Sequence, residues 1–142
     1  MATETPIFTD SPVPPGTFLR EILEDRKMSA RELAQRMGRP QQAVSEILNG
    51  KKEITEETAF QLQDVLGTPA HVWVNLERNY RLNLAWRQRQ RERAAQLNLL
   101  PDFPYADLQR LGLVPSTRKP LERLENLLRF FGVASLGGLE QR

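Results

Sequence analysis

The chain has 142 residues, of which 39% are hydrophobic and 27% charged, as expected for one globular domain, or one small domain with an appendage. It has no cysteine and a single histidine, His71, so disulfides and thiolate metal sites are excluded and a zinc site is unsupported. No apolar run reaches the length of a membrane span and the first residues carry no signal-peptide pattern, so a cytoplasmic setting with no membrane contact is expected.

The formal net charge is only +2, but it is unevenly spread. Six arginines lie between Arg78 and Arg93, with Glu92 the only acid among them. That cluster fits a nucleic-acid footprint and equally fits the solvated face of a long helix.

Residues 1–15 contain Pro6, Pro12, Pro14 and Pro15, which disfavours a helix and predicts a flexible, extended arm. Pro15-Gly16-Thr17 opens a first helix whose apolar stripe is Phe18, Leu19, Ile22 and Leu23. Ser29 is the expected N-cap of a second helix, with Glu32 completing a capping box. Its stripe is Leu33, Ala34 and Met37, and Gly38 suits a left-handed helix end. A third helix is predicted over Gln41–Leu48, with Val44, Ile47 and Leu48 inward and Asn49-Gly50 as its stop.

Two helices of about two turns each around a tight Gly-containing turn make a helix-turn-helix. The outer face of the second carries Gln41, Gln42, Ser45 and Glu46. Such a face reads bases in a DNA-binding protein and only supplies solubility in an ordinary helical hairpin. Arg31, Arg36, Arg39, Asn49, Lys51 and Lys52 flank it as candidate phosphate contacts, which would fix register and supply salt-dependent affinity without carrying sequence information.

Thr55 is the expected cap of a fourth helix, with Glu56 and Glu57 suiting its dipole. Ala59, Leu62, Val65 and Leu66 form its core face and Gly67 its end. Thr68-Pro69 then opens a fifth helix with no breaker before Pro101. Its large apolar residues Val72, Trp73, Leu76, Tyr80 and Leu84 exceed what a four-helix core can cover. They are the expected dimer interface, although folding back of the C-terminal segment would cover the same stripe.

PPGTFLREIL, SARELAQRMGRP, AVSEILNGKKEITEETAFQL and LGTPAHVWVNLERNYRL together resemble the HigA/VapI-like antitoxins of the XRE helix-turn-helix superfamily, over about residues 14–86. The resemblance implies an all-α chain with a five-helix, lambda-repressor-like DNA-binding domain over 16–98. It further implies a homodimer on double-stranded DNA with a palindromic operator, repression of its own operon, and a RelE-like toxin as protein partner. Gln41-Gln42 looks like the pair with which phage repressors read bases, and a glutamine amide pairs bidentately with adenine in the major groove. The sequence departs from the pattern at Pro40, where a Ser or Thr cap is common, at Ala30, where phage repressors carry a phosphate-binding Gln, and at Val72 and Val74, which are smaller than the pattern expects.

The composition changes near Leu99, and residues 99–142 are read as a small helical appendage with prolines at 101, 104, 115 and 120. A short helix is predicted over Tyr105–Leu111. A clearer one starts at Pro120, with Leu121, Leu124, Leu127, Leu128 and Phe131 on one stripe, and stops at Gly132; another is expected from Ser135. PYADLQRLGLVP and LLRFFGVAS resemble the connector between an XRE domain and an ImmA/IrrE-type metallopeptidase, but no HExxH occurs in the chain. No nucleophile, base and metal constellation can be assembled, so an enzyme is not expected and no cofactor is implied. A toxin-independent regulator and a protein-binding adaptor without DNA binding remain the alternatives to the antitoxin reading.

Overall fold

In a computed structural model, residues 11–137 are described, and every helix or strand among them is helical. They form α1 (Pro15–Arg26), α2 (Ala30–Met37), α3 (Gln41–Leu48), α4 (Glu56–Leu66), α5 (Ala70–Ala95), a 3₁₀ helix (Leu97–Asp102), α6 (Tyr105–Arg110) and α7 (Pro120–Phe131). Most of the arm expected over residues 1–15 lies outside the described residues, as does the continuation of the helix expected from Ser135. Ser11 to Pro14 are non-helical.

The chain divides into two compact units, residues 1–86 and 87–142. The packing boundary therefore precedes the compositional one at Leu99. The last turns of α5 belong to the second unit, where Arg93 pairs with Glu125 at 3.1 Å and Gln96 Oε1 accepts the Leu136 N–H at 2.9 Å.

Local signals define most helix ends of the first unit. Ser29 Oγ accepts the Glu32 N–H at 3.0 Å, the first half of the expected capping box. The reciprocal half is replaced, because the Glu32 carboxylate turns to Arg36 at 3.0 Å. Thr55 Oγ1 takes the Thr58 N–H, as predicted. Gly38 ends α2 and Gly67 ends α4, both in the left-handed region. The start of α5 differs from expectation: its Ala70 N–H is satisfied by the Gln63 side chain of α4 at 2.8 Å rather than by Thr68.

The core of this unit gathers Leu19 and Leu23 of α1, Leu33, Ala34 and Met37 of α2, Val44 and Ile47 of α3, Ala59, Leu62 and Leu66 of α4, and Trp73 of α5. Trp73 is fully buried, its ring 5.3 Å from that of Phe18. This corrects its assignment to a dimer surface: a side chain with no exposed area inside its own core has none to offer a partner. Filling that core with the indole contributes on the order of 3–5 kcal/mol.

The second unit is smaller. Leu124, Leu127 and Leu128 of α7 close on Tyr105, Val114 and Leu136. Leu121 and Phe131, at the two ends of the predicted α7 stripe, are instead exposed. The Tyr105 hydroxyl donates to the Pro115 carbonyl at 2.5 Å and accepts the Asn126 amide at 3.0 Å, so the buried phenol is satisfied.

Candidate nucleic-acid interface

The helix-turn-helix forms because α2 and α3 are each too short to hold a structure alone and each has one apolar stripe. α2 packs on both α3 and α4, and α3 also packs on α1. With Val44 and Ile47 buried in these contacts, helical geometry leaves Gln41 and Gln42 exposed and Ser45 and Glu46 half-buried on the outer face. α3 begins behind Pro40, which supplies no side-chain cap. The four predicted base-reading residues are therefore brought together on one face.

Within that face, Gln42 Nε2 donates to Glu46 Oε1 at 3.1 Å. Glu46 thus orients a glutamine amide that keeps its oxygen and one N–H free. Gln41 projects without a partner among the described residues.

The predicted basic rim divides in two. Arg31, Lys51 and Lys52 are exposed, and Arg36 is exposed with only its one-turn ion pair to Glu32, a contact of small energetic weight. Arg39 is different. Its Nε donates to Gln61 at 2.6 Å and its guanidinium lies 3.8 Å from Glu57, so it braces α4 against the turn instead of standing free. Asn49 is also engaged, accepting from Arg20 Nη2 at 3.5 Å, and the same Arg20 nitrogen reaches the Leu48 carbonyl. Arg20 adds an exposed cation beside the C-terminal end of α3. Nothing local in the sequence signals this contact, which spans twenty-nine residues.

The close approach of α1 to α3 depends on Gly16. A Cβ there would sit 2.2 Å from the Ile47 carbonyl oxygen and 2.8 Å from that of Leu48. Only glycine lets the start of α1 rest on the end of the helix that carries the glutamine face. On α5, Val72, Leu76 and Tyr80 are half-buried and Leu84 is 40% exposed, so these four keep surface that Trp73 does not.

A family model described as helix-turn-helix matches residues 19–73. The uncharacterized HTH-type transcriptional regulator YddM of Escherichia coli (strain K12) is 34% identical over 68 residues, a match spanning 48% of this chain and 72% of that protein. The chain belongs to this helix-turn-helix family. Two solved relatives are similar over much of their own length. An addiction module antidote protein of a HigA family from Coxiella burnetii is 36% identical with a TM-score of 0.53, covering 56% of this chain and 88% of that one. The Pseudomonas aeruginosa antitoxin HigA with the higBA promoter is 28% identical with a TM-score of 0.55, covering 57% and 89%. The family match lies wholly within the first unit and contains the whole of α2, α3 and α4. Among the described residues no helix is long and apolar enough to cross a membrane.

Proposed function

We propose that the protein is a sequence-specific DNA-binding repressor, the antitoxin of a type II toxin–antitoxin module that represses its own operon. The observation that carries this reading is the helix-turn-helix with its glutamine face exposed, in a chain similar to HigA-type antidote proteins, one of them seen with its promoter. Gln41 and Gln42 read base edges, Glu46 orients Gln42, and Ser45 completes the face. Arg31, Arg36, Lys51 and Lys52 hold the phosphates, with Arg20 added at the end of α3. The chain works in the cytoplasm as a homodimer through Val72, Leu76, Tyr80 and Leu84, on a palindromic operator. Its two reading helices stand about 34 Å apart, one turn of B-DNA. A RelE-like toxin is the protein partner. Residues 99–142 are related to the connector of XRE–ImmA/IrrE fusions through PYADLQRLGLVP and LLRFFGVAS.

The test is binding to the DNA immediately upstream of the chain's own reading frame. A salt-sensitive footprint there, lost in Gln41→Ala/Gln42→Ala with folding intact, is the expected result. No salt-sensitive binding would overturn the repressor and leave an adaptor. Light scattering at micromolar concentration checks the dimer, and co-purification with the product of a neighbouring small reading frame checks the toxin.

A further inference from the structure

Glu77 of α5 is a buried acid in the first unit, 8% exposed, and no step of base reading or phosphate holding uses it directly. Its Oε1 accepts the backbone N–H of Ile54 at 2.6 Å. Its Oε2 lies 3.3 Å from Arg81 Nε, and Arg81 Nη2 reaches Glu53 at 2.7 Å. One turn of α5 thus grips two consecutive residues of the loop between α3 and α4, and the Ile54 side chain is itself buried. At the loop's other end the Lys51 and Lys52 N–H groups both bond to the Glu46 carbonyl, at 2.8 and 3.3 Å. The two lysines are thus tied through their own N–H groups and followed closely by the Ile54 anchor, with their side chains exposed.

Burying a carboxylate is costly unless its partners compensate. An apolar residue at position 77 would suit the core better, but it would strand the Ile54 N–H. The position is explained by the loop that it holds rather than by the core in which it sits.

We propose that Glu77 is a positioning residue for DNA binding, fixing Lys51 and Lys52 at phosphate height by anchoring the Ile54 backbone, without touching DNA itself. The proposal rests on the DNA-binding reading above. It makes reach, not charge, the property that matters. Glu77→Gln keeps an oxygen for the Ile54 N–H but gives up the charge and the Oε2 contact with Arg81. Glu77→Asp keeps the charge but withdraws the carboxylate by about 1.5 Å, one carbon–carbon bond.

The experiment measures the slope of log affinity against log salt on a mixed-sequence duplex of about three helical turns, together with thermal unfolding. Glu77→Gln is expected to keep the wild-type slope. Glu77→Asp is expected to flatten it by up to about 3.6, about 0.9 for each of four phosphate contacts, two from each protomer of the dimer. In a Lys51→Ala/Lys52→Ala background Glu77→Asp should add nothing, because the same contacts are already gone. A wild-type slope in Glu77→Asp, a loss in Glu77→Gln as large as in Glu77→Asp, or a further loss in the double-lysine background would each overturn the proposal. A wild-type chain without salt-dependent binding would instead overturn the DNA reading. In that event, faster Ile54 amide exchange in Glu77→Asp, unchanged in Glu77→Gln, would still support the anchoring step, and equal exchange would overturn it too.

Discussion

The two units solve the same packing problem with different reserves. Among the described residues, thirteen buried hydrophobic side chains form the first core and six form the second. Each buried residue of the second unit therefore carries a larger share of its stability, because a small unit buries a smaller fraction of its surface. Both units leave apolar side chains exposed, Val13, Phe60, Leu82 and Leu84 in the first and Leu111, Leu113, Leu121, Phe130 and Phe131 in the second, but the first also buries a tryptophan, Trp73, completely. Where residues are few, specific polar contacts fill the gap: the Tyr105 hydroxyl network ties α6, the following turn and α7 together.

The strongest way to break this comparison is to empty each core once. Trp73→Ala should cost the first unit about 3–5 kcal/mol and Leu124→Ala should cost the second about 2–5 kcal/mol. Leu124→Ala should nevertheless have the larger consequence for its own unit. Amide exchange at α7 should become unprotected, while exchange at α1 in Trp73→Ala is accelerated but still measurable. Equal protection of α7 before and after Leu124→Ala would contradict the difference in reserve.

A second perturbation overfills instead of emptying. Gly16→Ala pushes a methyl into two backbone carbonyls, which cannot swing aside as a side chain would, at a cost of about 1–3 kcal/mol in chemical denaturation. It should also weaken DNA binding, because what must move is the end of α3. In the second unit, Tyr105→Phe should cost about 1 kcal/mol by leaving the Pro115 carbonyl and the Asn126 amide without their partner. The smallest effect has the opposite sign. Lys27 ends α1 at φ 54°, the one positive-φ residue other than glycine among the described residues, and Lys27→Gly should raise the melting temperature through a gain of at most about 1 kcal/mol.

Legibility in the sequence followed the range of the interaction. Ser29, Gly38, Thr55, Gly67 and Gly132 act within one helical turn, so their types and spacing were enough to place the ends of α2, α4 and α7. The bounds of α3 and the shared face of Gln41, Gln42, Ser45 and Glu46 were legible for the same reason, since helical periodicity relates them. Trp73 was misassigned because a large apolar residue at helical spacing looks the same facing its own core or a partner. Arg39 was counted with the free rim because Gln61 and Glu57, which hold it, lie on another helix.

By itself, then, the sequence determined an all-helical chain, the helix-turn-helix and the composition of its outer face, because caps, breakers and apolar periods are local. Only the tertiary structure decided which basic residues stand free, why position 16 must be glycine, and that an acid on α5 grips the loop carrying Lys51 and Lys52. Those facts depend on backbone groups distant along the chain, Ile47 meeting Gly16 and Ile54 meeting Glu77, and no pattern within either segment encodes their distance.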